Sequence, residues 1–181
     1  TRPEGWFFPD TYRFAKQSSD VDVLKSAHAA MRKHLAAAWS RRAADTPLRN
    51  EHEALVLASI VEKETGRPED RGKIAGVFVN RLRAGMRLQT DPTVIYGLGP
   101  RFDGNLRKRD LEADTPYNTY TRDGLPPTPI ALPGLAALEA AVRPDATDAL
   151  YFVSRGDGSS EFSRSLPDHN RAVRKYQLGG R

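Results

Sequence analysis

The sequence predicts an α+β domain that is mostly helical, with a long ordered loop region and a small β-hairpin. Three observations carry this. Three segments in the first half repeat their apolar residues at helical spacing, each with start and stop signals. A stretch from Met86 to Pro133 is rich in Pro, Gly, Thr and Tyr and shows no period longer than a short strand. Near the end, "ALYFVS" and "SEFSRS" flank "RGDGS", a strand–turn–strand pattern.

The opening "EGWFFPDTYRF" reads as an extended aromatic segment with a bend at Pro9-Asp10. The first helix spans Asp20 to Ala43, with Leu24, Ala27, Met31, Leu35, Ala38 and Trp39 on its apolar stripe and a capping box at Ser19 and Asp22. The second runs from about Glu51 to Thr65, with Gly66 suited to its C-terminal cap. Pro68 opens the third, where Glu69 and Asp70 suit the positive end of the helix dipole. That helix turns Ile74, Val77, Phe78 and Leu82 inward and stops at Gly85. So long a loop in a compact domain is functional or disordered, and the tyrosines and rigid "LPPTPIALP" favour order and function. A short helix over Gly134–Val142 follows, then the hairpin. Ser165, Pro167 and Asp168 open a last helix that reaches Gln177.

Composition bounds the rest. The 181 residues suffice for one domain, 1–181, with its own core. Hydrophobic residues at 39% and charged residues at 28% fit a folded chain, not a disordered one. No window is apolar for the roughly 18 residues a membrane span needs, and no basic region with an apolar run marks a signal peptide. The start at Thr1, without Met, predicts a piece of a longer protein from which an anchor or targeting signal is missing. The absence of cysteine excludes disulfides, thiolate metal sites and cysteine nucleophiles. A net charge of +5 and a pI near 9.6 favour polyanionic partners, whether nucleic acid, anionic lipid or a carboxylate-bearing polymer, or simply a solvated basic face.

The chemical question lies in "LASIVEKET", where an apolar helix runs into two acids. Residues two apart on a helix point about 200° away from each other, so Glu62 and Glu64 serve different surroundings. Glu62 continues the face of Leu55, Ala58 and Ser59, and Glu64 that of Leu57, Ile60 and Val61. A carboxyl at the end of a largely buried helix is desolvated, which raises its pKa and keeps a proton available for general acid catalysis. The alternative is that both acids pair with Arg or Lys at the helix end. Hydrolytic glycosidases also need a second carboxylate. Asp91 in "QTDPT" is the nearest candidate, although Asp before Pro is also a common turn former. His28, His34, His52 and His169 show no metal-ligand spacing, so no metal or other cofactor is expected. "PYNTYT" offers hydroxyls, an amide and aromatic faces, a set suited either to sugar binding or to packing on the core.

Taken in order, "EGWFFPDTY", "LASIVEKET", "VFVNRLRAGMRLQTDPTVIYGLG", "YNTYTRDGLPPTPIALPG" and "YFVSRGDGSSEFSRSLPDHN" closely resemble the YceG-like family, the endolytic murein transglycosylases of bacteria. The resemblance covers the chain from Glu4 to about Tyr176. It implies a peptidoglycan lytic transglycosylase that cuts the β-1,4 bond from N-acetylmuramic acid to N-acetylglucosamine within nascent strands, leaves 1,6-anhydro ends and terminates strand growth. The attacking hydroxyl then belongs to the substrate, so one carboxyl suffices. The family's catalytic glutamate, second in its V/I-E-K-E-T motif, falls on Glu64, and Glu62 becomes structural. Candidate substrate-binding residues are Asn80, Gln89, Thr90, Asp91, Tyr117, Asn118 and Tyr120. Asn80 is expected to meet an acetamido group or orient Glu64, and the tyrosines with Asn118 to form a sugar platform. The resemblance further implies peptidoglycan synthases as partners and a single-pass anchor in the full-length protein. It places the domain at the periplasmic face of the inner membrane. Competing readings are a non-catalytic peptidoglycan-binding module and a basic nucleic-acid-binding domain, for which no recognised motif is present.

Overall fold

The computed structural model describes residues 3–179. Its elements are α1 (Asp20–Ser40), α2 (Glu51–Glu64), α3 (Pro68–Arg83), α4 (Asp91–Leu98), α5 (Lys108–Glu112), α6 (Leu135–Val142), β1 (Tyr151–Ser154), β2 (Ser160–Ser163) and α7 (Leu166–Val173). A 3-10 turn, Gly99–Arg101, follows α4, and a π-helical turn, Arg174–Leu178, extends α7. The class is α+β, as the patterning predicts.

α2 is the central post. Every residue from Ala54 to Val61 is buried, as an all-round apolar helix requires, and α1, α3 and α6 pack around it. Asn50 caps its start by accepting from the Glu53 amide at 3.0 Å. The single hydroxyl in its buried run, Ser59, donates to the Val56 carbonyl at 2.7 Å. It also accepts from the Ile130 amide at 3.0 Å, tying the proline-rich strap to the core. Gly66 does not serve as a left-handed cap: Thr65 turns extended instead, and its hydroxyl accepts from the Arg67 amide at 3.0 Å. α1 begins at the predicted Ser19–Asp22 capping box but ends at Ser40, three residues early. Its stripe enters the core only from Ala27 onward, so Leu24 stays exposed.

α3 carries a groove made by sequence. Gly72 and Gly76 lie one turn apart, and a Cβ on either would press into the segment ahead of β1: 2.4 Å from the Asp145 side chain and 2.6 Å from that of Thr147. The next position on the same face is Asn80. Its amide donates to the Thr147 and Ala149 carbonyls at 2.8 and 3.1 Å, while the Asp145 amide donates to the Gly72 carbonyl at 3.1 Å. This stripe seats the chain that leads into the hairpin. The hairpin pairs antiparallel with Tyr151 opposite Ser163 and Ser154 opposite Ser160. Asp70, in the first turn of α3, accepts from the Ser160 amide at 2.8 Å and fixes its tip side.

The stretch 86–133 corrects the expectation of an aperiodic loop, because it contains α4 and α5. "DPTVIYGL" is too short to display a helical period. Pro92, in the first turn, pre-sets the backbone there. Gly99, with φ of 54°, ends the helix. The last helix also differs, passing into the π-helical turn where a regular helix to Gln177 is expected. Among the described residues no helix is long and apolar enough to cross a membrane.

Candidate active site

The end of α2, the residues leading into α4, the last turn of α3, the hairpin and α7 enclose an open cleft of about 520 Å³. Glu64, the last residue of α2, lines it and is partly buried. Glu62 faces elsewhere: its Oε2 accepts from the Gly134 amide at 3.0 Å, capping α6. The roughly opposite directions of residues two apart are thus used for two separate jobs.

Burial pushes the Glu64 carboxyl up to about 7. A hydrogen bond donated by the Thr90 hydroxyl opposes this, and the neighbouring charge of Asp91 adds to it. Thr90 is held in turn by buried threonines. Its amide donates to Thr119 Oγ1 at 3.1 Å, and Thr93 Oγ1 donates to its carbonyl at 2.8 Å and lies 2.9 Å from Thr119 Oγ1. Asp91 occupies the first turn of α4, where the helix dipole favours it. Its Oδ1 accepts from the Tyr120 hydroxyl at 2.6 Å, and burial together with that bond holds the Tyr120 proton more tightly than usual.

Gln89 stands in the left-handed region at φ of 52°, the one non-glycine with positive φ among the described residues. Such backbone persists only where the surroundings over-determine it. Here the Gln89 amide donates to the Thr119 carbonyl at 3.1 Å, and Arg81 supplies the rest. Arg81 is 7% exposed. Its Nε donates to the Leu150 carbonyl at 2.7 Å. Its Nη1 donates to the Arg87 and Leu88 carbonyls at 3.0 and 2.9 Å and reaches Gln89 Oε1 at 3.3 Å. One guanidinium therefore ties the hairpin's entry to the strained cleft loop. Sequence reasoning missed it, although the signal was available: Arg81 falls on the Ile74–Val77–Phe78 stripe, where a charge must find partners.

Of the sequence-predicted residues, Glu64, Gln89, Thr90, Asp91 and Tyr120 come together in the cleft, whereas Asn80, Tyr117 and Asn118 lie outside it. Asn80 is committed to the α3 groove described above. Tyr117 packs on Tyr96 with ring centroids 4.8 Å apart and pairs its hydroxyl with Thr128 at 2.8 Å. Asn118 is 1% exposed; its amide nitrogen donates to the Leu111 and Ala113 carbonyls at 2.9 and 2.7 Å, and its Oδ1 accepts from the Tyr120 amide at 2.8 Å. The "PYNTYT" run thus divides: two residues anchor the loop, and Thr119 and Tyr120 serve the cleft. The wall contributed by Tyr151, Ser154, Ser159, Leu166 and His169 was not foreseen, because strand and helix patterns do not reveal which distant elements meet. No cluster of His, Asp and Glu suited to a metal ion occurs among the described residues.

The model of the YceG-like family matches residues 1–175. The endolytic murein transglycosylase of Bacillus subtilis (strain 168) is 42% identical over 174 residues, covering 96% of this chain and 48% of that protein. The protein of the same name from Streptococcus pneumoniae serotype 2 is 35% identical over 180 residues, covering 97% of this chain and 32% of its own length. A crystal structure of a yceG-like protein from Listeria monocytogenes superposes with a TM-score of 0.80 at 38% identity, over 93% of this chain and 55% of that one. The chain thus spans about half or less of the curated relatives it matches, and by sequence and by fold alike it belongs to the YceG-like family.

Proposed function

We propose that this domain is an endolytic peptidoglycan lytic transglycosylase in which Glu64 serves as both general acid and general base. The observation that carries the reading is a single carboxyl at the edge of a dry helix end, its pKa raised to about 7 and its geometry held by Thr90, opening on a cleft. A proton held near neutrality is what protonation of a glycosidic oxygen requires.

The protonated Glu64 donates to the bridging oxygen as the bond from C1 of N-acetylmuramic acid breaks. The resulting carboxylate then takes the proton of that sugar's C6 hydroxyl as its oxygen closes on C1. The proton returns to Glu64, water is not consumed, and the new end is a 1,6-anhydro sugar. Asp91, oriented by Tyr120, stabilises the positive charge that develops on the ring. Gln89 lines the path of the strand. Cutting within nascent strands would terminate their growth beside the synthases, at the periplasmic face of the inner membrane. The names of the Bacillus and Streptococcus relatives support the substrate class.

Mass spectrometry of the products from uncrosslinked glycan strands tests this. Internal fragments ending in anhydro sugar are expected. Reducing ends, each heavier by one water, would mean a hydrolase, and the absence of any product despite strand binding would mean a binding module.

A further inference from the structure

The cleft has a second half that the chemistry above does not use. Its wall is a stack. The Arg81 guanidinium lies 5.0 Å from the Tyr151 ring centroid, and the His169 ring stacks on Tyr151 at 5.2 Å with an interplanar angle of 23°. Tyr151 comes from β1 and His169 from α7, so this wall forms only when hairpin and helix dock. Both residues line the cleft.

The two cation-forming groups of the stack are engaged differently. The Arg81 Nε and Nη1 donors are spent on backbone carbonyls and on Gln89. His169 is held neutral, since burial first and the nearby Arg81 second lower its pKa. Its Nδ1 is buried and finds no hydrogen-bond partner among the described residues. An N–H sealed there would be an orphan donor, the costlier defect, whereas a lone pair is the cheaper one. The proton therefore belongs on Nε2, the nitrogen left to face the cleft.

We infer that His169 is a specificity-determining residue that presents Nε2–H to an uncharged oxygen acceptor on the bound glycan, a sugar hydroxyl or an acetamide carbonyl. It does not read the carboxylates of stem peptides. The inference rests on the proposed function, because it takes a glycan strand as the ligand of the cleft.

Calorimetric binding of uncrosslinked strands to the Glu64→Gln protein separates the two claims. His169→Phe keeps a ring against Tyr151 but has no donor, and is expected to weaken binding about tenfold, the scale of one neutral hydrogen bond. His169→Gln, which regains an N–H donor, is expected to recover most of that loss, with both variants melting near the parent. The loss is expected to be equal on strands stripped of stem peptides and unchanged between low and high salt. Strands with acetyl groups removed then identify the acceptor: a vanished His169 effect marks the acetamide, a retained one a hydroxyl, and either supports the assignment. Unchanged binding by His169→Phe, or a loss confined to peptide-bearing strands, overturns the inference and leaves the proposed function standing. Failure of the Glu64→Gln parent itself to bind any strand overturns both.

Discussion

Glu64→Gln is expected to lower kcat on glycan strands by about 10³-fold or more, the scale set by loss of a group that acts as acid and then as base. Strand binding should change little, because glutamine keeps the shape and still accepts from Thr90. In the wild type, kcat/KM should fall as pH rises through about 7, where Glu64 loses its proton. The same carboxyl leaves a mark on stability. Its folded pKa lies above the unfolded value of 4.5, so the folded state binds more protons between about pH 4.5 and 7. Stability from this group is complete below the unfolded pKa and is lost as pH rises through the folded one. At about 1.4 kcal/mol per pKa unit the full loss approaches ~3 kcal/mol, less to the extent that cleft water relieves it. Glu64→Gln should therefore be more stable than the wild type at pH 8, and the slope of stability against pH should flatten over that window. Denaturant titrations at several pH values check this. A variant that loses activity yet gains stability marks a residue kept for chemistry, not for folding.

Arg81→Leu is expected to be the most damaging single change outside Glu64. It strands the Leu88 carbonyl in a buried place and those of Leu150 and Arg87 in partly buried ones, which costs about 3 kcal/mol. For a chain of this length, Tm should fall by roughly 10 °C. Activity should fall as well, measured at a temperature where the variant is still folded, because Gln89 loses the partner that helps hold its left-handed backbone. Lysine does not substitute: one ammonium cannot span from Leu150 on the hairpin side to Leu88 on the loop side. Arg81→Lys should therefore recover less than half of the lost stability. Thermal melts and kcat measured side by side check both parts.

The helical half of the fold was legible because its apolar residues repeat over enough turns to show a period, and because Ser19 and Pro68 mark starts by their chemistry. The helix-end acids Glu62 and Glu64 were legible for a related reason, since a helix buried on all sides can meet an acid only at its end, whereas the choice of Glu64 between them rests on the family resemblance. α4 was not, since eight residues held by a first-turn proline and a threonine cluster carry no periodic signal. By residue type alone Asn80, Tyr117 and Asn118 suit sugar binding and anchoring equally, because amides and phenols serve both uses. Only the partners each one meets decide between the two uses. Arg81 and Asn80 sit side by side, yet one joins the cleft and the other the groove on α3, a division set by helix geometry and by what packs on each face.

Asp91 is the residue on which the single-carboxyl account turns, because it is the neighbouring acid that a hydrolase would recruit. The decisive measurement is mass spectrometry of the products made by Asp91→Asn alongside the wild type and Glu64→Gln. The account predicts anhydro ends from the wild type, the same ends formed more slowly by Asp91→Asn, and no products from Glu64→Gln. Reducing ends from the wild type, with product formation lost equally in Asp91→Asn and Glu64→Gln, would contradict it and assign the pair to hydrolysis.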